Sequence, residues 1–386
     1  MHRTDVTRRR FLDAVARVAL SAGALRAYPL FAQAASGSER LIVHSTRPGD
    51  RETPVSLLDS WLTPNDRFYV RSHFYTPVVQ EDTWRLVVDG DVDRPLQLTL
   101  ADLKAMPATA LVATLECAGN GRALFQPPVA GIQWAKGAVG TARWRGVRLA
   151  DVLRRAGLRP AARHVWLDGG DVGVGRAPDF VRNLPLGKAL HPDTLLAWEM
   201  NGEPLPVDHG FPLRVIVPGW EAAYSVKWLT RIQASAREHE GFFVQSAYRY
   251  PKRPVAPGGT VAPADTAPMV GLPVKSVITS PGDVTIATGL TAITGFAWVG
   301  DGEIARVDVS VDRGRTWSPA RLGTDRAPWA WRQFTYAWRG TEPGAYVVLS
   351  RATDTRGRSQ PLVAEWNPAG YLWNAVDQQR VTVQAR

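Results

Sequence analysis

The chain has 386 residues, 45% of them apolar and 21% charged, with a formal net charge of +10. These proportions suit a globular protein of two or three domains of ~100–200 residues each; they exclude a mainly disordered, collagen-like or multi-span membrane chain. The single cysteine, Cys117, excludes an internal disulfide and any multi-cysteine zinc or iron–sulfur site.

The chain opens with Thr7-Arg8-Arg9-Arg10-Phe11-Leu12, an arginine pair, one residue, then Phe-Leu. A mild apolar run, Val18 to Leu25, and an A-x-A site, Ala32-Gln33-Ala34, follow. This is the pattern of a twin-arginine export signal over residues 1–34, and it places the mature protein in the periplasm. Arg17 and Arg26 lie too close together to flank the ~20 apolar residues of a membrane span. Segment 1–34 carries six Arg and two Asp, so +4 of the net charge leaves with it. The remaining cations form no block of five or more. Without zinc spacing, a basic helix or an aromatic RNA-binding signature, no nucleic-acid partner is expected.

Residues 35–255 mix element types, and an α+β domain with a mixed sheet is expected. Trp84 to Gly90 reads as a strand running into a turn. Thr99 is placed to cap a short helix. Ala110 to Leu115 is an apolar run suited to a buried strand, and it delivers the chain to Glu116-Cys117-Ala118-Gly119-Asn120. Leu149 to Ala156 is helical, stopped by Gly157 and Pro160. Leu213 to Val217 is another strand. Residues 251–273 hold six prolines, and 256–272 is expected to be a linker or an extended wrap over the surface. From 273 to 386 the pattern is β throughout. Ala305 to Val311 alternates apolar and polar, and Asp312 to Trp317 makes a hairpin turn with Gly314 at positive φ. Short strands at regular spacing in so short a stretch suggest an immunoglobulin-like β-sandwich without a disulfide.

Cys117 stands at the end of the apolar strand and before the turn-forming run Ala-Gly-Asn-Gly-Arg, where sites are built. With Arg122 five residues on, the position favours a thiolate, which is a nucleophile or a soft-metal ligand. A nucleophile needs a base, and spacing selects none of the seven His. G-x-S-x-G, H-E-x-x-H and the P-loop are absent, and Gly170 to Gly175 reads as a plain glycine-rich loop.

Leu115-Glu116-Cys117-Ala118-Gly119-Asn120-Gly121-Arg122 resembles the cysteine segment of the sulfite oxidase family of molybdenum enzymes. Thr63 to His73, Gly140 to Val147, Trp198 to Pro206, Asp208 to Arg214 and Val226 to Leu229 are similar to other family segments, in order, so the resemblance covers roughly residues 55–386. It implies a molybdopterin-binding catalytic domain over 35–255 and a dimerisation domain over 273–386, hence a homodimer. It also implies molybdenum held by Cys117 together with molybdopterin. By position, Arg71, Arg122, Trp134 and Tyr248 match the substrate pocket. His73, Asp171, His209, Arg214, Ser225 and Lys227 match pterin and phosphate contacts, with Arg71 touching the pterin as well. Guanidinium forks suit a sulfur oxyanion. The expected activity is oxidation of sulfite to sulfate. A c-type haem attachment needs two cysteines and no haem domain is seen before residue 55, so electrons pass to an external acceptor such as cytochrome c. One position departs from the pattern. Trp366-Asn367-Pro368-Ala369-Gly370 has Ala369 where animal members place a third pocket arginine, which keeps open another sulfur compound or sulfoxide reduction; a neighbour such as Arg332 is a candidate to replace the missing charge. An exported non-catalytic binding protein is the alternative of another class.

Overall fold

The computed structural model describes residues 41–385. The export-signal reading of residues 1–34 therefore lies outside the described residues. The chain is rich in sheet and its helices are few and short.

Three sheets build the first part. A small one pairs Ile42–Thr46, Gly49–Glu52 and Val70–Arg71. A second centres on Ala108–Glu116 and Val139–Arg148, which run antiparallel through nine register pairs and continue into Leu195–Met200. The third is mixed: Leu229–Ser235 runs parallel to Leu86–Gly90 and antiparallel to His164–Gly169. Helix Leu100–Lys104 starts at Thr99, whose side chain accepts from the Asp102 N–H while Asp102 accepts from the Thr99 N–H, a full capping box. Helix Leu149–Ala156 buries Leu149, Val152, Leu153 and Ala156 against these sheets and stops at Gly157, where φ is +74°.

From Lys275 onward two sheets share one core. One contains Lys275–Ser280, Gly289–Trp298 and Arg332–Gly340; the other contains Ile304–Ser310, Gly344–Asp354 and Asp377–Gln384. Ile278, Ile293 and Phe334 of the first meet Val307, Val348 and Val381 of the second. The alternation in Ala305 to Val311 thus becomes strand Ile304–Ser310, and Gly314 sits in the following turn at φ +82°. Between the two parts, the Pro-rich stretch holds a single 3₁₀ turn, Pro263–Asp265, and a short strand, Thr266–Pro268, paired with Arg249–Pro251.

The two parts are joined across a broad seam. Trp329 forms a parallel bridge with Ala113, and the Thr114 N–H donates to the Trp329 carbonyl at 2.9 Å. Trp61 and Trp331 exchange indole hydrogen bonds with each other's carbonyls at 3.2 and 2.8 Å. Gly219 and Gly300 cross backbone against backbone, so that a Cβ on either would strike the other's carbonyl oxygen. This seam runs past the end of strand Ala108–Glu116, and so past Cys117. Among the described residues no helix is long and apolar enough to cross a membrane.

Candidate active site

Strand Ala108–Glu116 ends at Cys117, and the chain then turns tightly. The Cys117 N–H donates to the Ala138 carbonyl at 2.9 Å, and the Asn120 N–H donates back to the Cys117 carbonyl at 2.9 Å. Cys117 faces a cavity. Arg71, Ser72, His73, Asp171, Asp208, His209, Arg214, Ser225, Lys227 and Tyr248 line it as well. Residues up to 177 positions apart in sequence, Arg71 and Tyr248, thus meet at one thiol.

Two of the cavity's cations, Lys227 and Arg214, are held by neutral acceptors rather than by an ion pair. Lys227 Nζ donates to Ser72 Oγ and to the Asp208 carbonyl, both at 2.9 Å. Burial, then the Arg214 charge, lowers its pKa to about 7. Arg214 donates to the His209 and Ser225 carbonyls at 2.9 Å, and burial lowers it to about 10. Its Nε is buried with no hydrogen-bond partner. Ser225 Oγ accepts from the Val217 N–H at 3.1 Å, which fixes the strand carrying Arg214. His209 is held neutral: burial first, then the charges of Arg214 and Lys227, lower it to about 3. Burial raises the Asp171 pKa to about 6, although the Lys227 charge opposes the rise. A cluster of buried, under-compensated cations is arranged to receive an anion such as a phosphate.

On the other side of the cavity, Arg71 donates to Asp50 Oδ1 at 3.1 Å and to the Ser72 carbonyl. His73 Nε2 and the Tyr248 hydroxyl lie 2.6 Å apart. The His73 ring stacks on Phe180 at 3.8 Å. Burial, then the Arg71, Arg182 and Lys227 charges, depresses His73 well below its ordinary range, so the imidazole is neutral. Burial raises the Tyr248 phenol well above its ordinary value, so it keeps its proton. Tyr248 also sits at φ +54°, a left-handed backbone unusual for a bulky residue and common at functional sites.

Several expectations need adjustment. The Cys117 thiol is pushed up, not down: desolvation outweighs Arg71, the Gly119 N–H and Arg122. A thiolate there would need a bound metal to displace the proton. Trp134 does not line the cavity. It is fully buried behind it, in the same apolar cluster as Cys117, with its ring edge-on to His44 at 4.8 Å. Arg332 does not replace the missing arginine either. It donates to the Gly323 carbonyl at 2.8 Å and lines a separate cavity beside Glu303 and Arg326.

Arg122, expected in the substrate pocket, is not among the residues that line this cavity; it is buried next to the cysteine turn. Its Nη1 donates to the Ile132 carbonyl at 3.0 Å and its Nε to the Ala369 carbonyl at 3.2 Å, with its Cζ 5.3 Å from the Tyr371 ring centre. Ala369 therefore contributes an acceptor where a cation was expected. Sequence reading missed several neighbours. Ser72 and Asp208 line the cavity and lie inside the family-like segments Thr63 to His73 and Asp208 to Arg214, but their own residue types carry no signal of it. Arg182 and Glu221, an ion pair at 3.5 Å almost devoid of solvent exposure, had no local signal. Arg182 places its guanidinium 4.7 Å from the Tyr248 ring centre and so fixes that ring. Among the described residues no group of three or more His, Cys, Asp or Glu could hold a metal.

The family description "Oxidoreductase molybdopterin binding domain" matches residues 73–243, and "Mo-co oxidoreductase dimerisation domain" matches residues 266–385. The sulfite oxidase of Gallus gallus is 40% identical over 356 residues, which is 87% of this chain and 76% of the relative. This chain belongs to the sulfite oxidase family. The mitochondrial sulfite oxidase of Rattus norvegicus is 40% identical over 362 residues, 89% of this chain. This family member spans 66% of the rat protein's own length, just under two-thirds. The crystal structure of the sulfane dehydrogenase SoxCD from Paracoccus pantotrophus matches with a TM-score of 0.77 at 29% identity, over 88% of each chain. The protein is accordingly an oxidoreductase, and its cofactor is Mo-molybdopterin.

The residues present fit that group. Cys117 would supply one soft sulfur donor, leaving the cofactor's dithiolene to supply others. The unpartnered Arg214 Nε, with Lys227 and neutral His209, suits a buried phosphate.

Proposed function

We propose that this enzyme oxidises sulfite to sulfate and passes the electrons to an external acceptor such as cytochrome c. The observation that carries the reading is the meeting, in one cavity, of Cys117, the Arg71 guanidinium and the His73–Tyr248 pair, with the phosphate-type cations beyond them. Bound molybdenum supplies the two-electron redox chemistry and the oxygen transfer; the chain supplies the rest. Arg71 and Arg122 hold the oxyanion by charge-assisted forks. Trp134 backs the cysteine turn with a rigid apolar wall. Neutral His73, protonated on Nε2, donates to the Tyr248 oxygen and leaves the phenol proton free to donate to a substrate or product oxygen. Protonated on Nδ1 instead, it accepts a hydrogen bond from the phenol at Nε2, so the pair can hold or release one hydrogen bond without changing charge. Arg214, Lys227, His209, Ser225 and Asp171 anchor the cofactor's pterin and phosphate.

The same reading assigns the protein to the periplasm after twin-arginine export of residues 1–34. It divides the mature chain into a catalytic domain, 35–255, a linker, 256–272, and an immunoglobulin-like sandwich, 273–386, through which two copies pair. The dimerisation-domain match supports the homodimer.

The test is metal analysis with sulfite-dependent reduction of cytochrome c by one preparation. Molybdenum-loaded protein that reduces no cytochrome with sulfite removes the substrate assignment. A second reading, oxidation of another sulfur compound or reduction of a sulfoxide, is favoured by Ala369, whose carbonyl engages Arg122 where a third cation would strengthen oxyanion binding. Assaying sulfite oxidation and sulfoxide reduction side by side separates the two.

A further inference from the structure

Strand Lys275–Ser280 is almost entirely buried, and it carries a lysine into the interior. Lys275 is 2% exposed and its Nζ lies 2.7 Å from Glu116 Oε1. The same Nζ donates to the Asn120 carbonyl at 3.2 Å. Glu116 immediately precedes Cys117 and is itself 4% exposed. Its Oε1 also accepts from Asn120 Nδ2 at 2.9 Å, and its Oε2 accepts from the Trp298 indole at 2.7 Å. Asn120 Oδ1 in turn accepts from the Ala138 N–H at 3.1 Å. The two ends of the cysteine turn, residues 116 and 120, are therefore tied to each other and to groups outside the turn. Lys275 and Trp298, which supply three of those contacts, both belong to the two-sheet part of the chain.

We propose that Lys275 is a positioning residue for Cys117. It locks Glu116 and Asn120 and thereby holds the thiol in place for molybdenum. The sheet part of the chain, matched to a dimerisation domain, thus also forms part of the metal-site scaffold. The physical basis is the steep cost of leaving one member of a buried ion pair uncompensated. With the pair intact the turn has one arrangement; with Lys275 removed, the buried Glu116 carboxylate loses its charged partner and must reach water, and the turn opens to let it.

The test compares full-length holoenzyme variants by hydrogen exchange of peptides spanning 116–122, by molybdenum content per chain and by far-UV circular dichroism. Lys275→Met should raise exchange in those peptides by roughly tenfold or more and lower the retained molybdenum, with the sheet signal unchanged. The double variant Lys275→Met with Glu116→Gln leaves no buried charge, keeps an acceptor for Trp298, and serves if the single variant does not fold. It should recover stability while exchange at 116–122 stays fast, because the tie to the Asn120 carbonyl is gone. Lys136→Met is the control. It breaks a second ion pair across the same seam, to Asp377 at 2.6 Å, away from Glu116. A folded Lys275 variant with wild-type exchange at 116–122 overturns the proposal. So does a Lys136→Met variant that accelerates those peptides equally, since Lys275 would then only hold the seam together. Neither outcome depends on which sulfur compound is turned over.

Discussion

Gly119→Ala isolates the placement of Arg122. Gly119 has no positive φ, so its backbone accepts alanine without strain. A Cβ there would lie 2.6 Å from Arg122 Nη2 and 2.7 Å from Cζ, where ordinary contact begins at 3.4 Å, so the guanidinium must retreat by about 0.8 Å. Its other neighbours are also close: a Cβ on Gly131 or Gly370 would fall 2.9 or 2.8 Å from Arg122 side-chain atoms. The retreat therefore breaks the bonds to the Ile132 and Ala369 carbonyls, at 3.0 and 3.2 Å. Misplacing a substrate-orienting group by ~1 Å costs on the order of 10²-fold in rate. Sulfite-dependent kcat/KM, normalised to molybdenum content, should fall by about that factor. Thermal unfolding should change little. On an Arg122→Lys background the glycine change should add almost nothing, because the group it displaces has gone. A loss under about threefold in Gly119→Ala, or an equal further loss when Gly119→Ala is added to Arg122→Lys, refutes the reasoning.

Replacing Cys117 by Ser should reduce turnover to background while Tm moves by no more than about 4 °C, measured by calorimetry. Lys227→Met removes a charged donor from the phosphate-type cluster, worth about 1.5–3 kcal/mol, so cofactor retention on gel filtration should weaken roughly 10- to 150-fold. Asp171 gives a pH signature. Its folded pKa, about 6, lies above the ordinary 3.8, so the folded state holds its proton longer than the unfolded one. That contribution is complete below pH 3.8 and is lost as pH rises through about 6, roughly 3 kcal/mol in order of magnitude. Cofactor-free Asp171→Asn should lack that decline in Tm between pH 4 and 6; a curve parallel to wild type contradicts it.

The sequence was informative wherever the determinant was local. The apolar run ending at Cys117, the Thr99 cap and the alternation in Ala305 to Val311 each carry their cause within a few residues, and each reappears as a strand or a capped helix. The cavity residues were legible through family resemblance, since only spaced motifs tie Arg71 to Tyr248. What escaped was the state of buried charge. Arg122 five residues from Cys117 suggested a lowered thiol pKa, but desolvation dominates there and depends on the whole fold. Lys275 carries no local mark of burial, since its partner is 159 residues away in sequence. Arg182 and Glu221 are hidden for the same reason. Local periodicity states which face of an element is apolar; it does not state which charge waits on the far side.

The crossing of Gly219 and Gly300 bears on how this family can diversify. Because neither position tolerates a side chain while the other backbone stands opposite, the two segments must drift together, and exchange of the sheet part for a relative's counterpart transplants half of a fitted joint. The Pro-rich stretch looks like a natural cutting point, yet the pieces on either side are not interchangeable modules. Chimeras that keep the reciprocal Trp61–Trp331 bonds and both glycines should assemble, and those that respect only the linker should not.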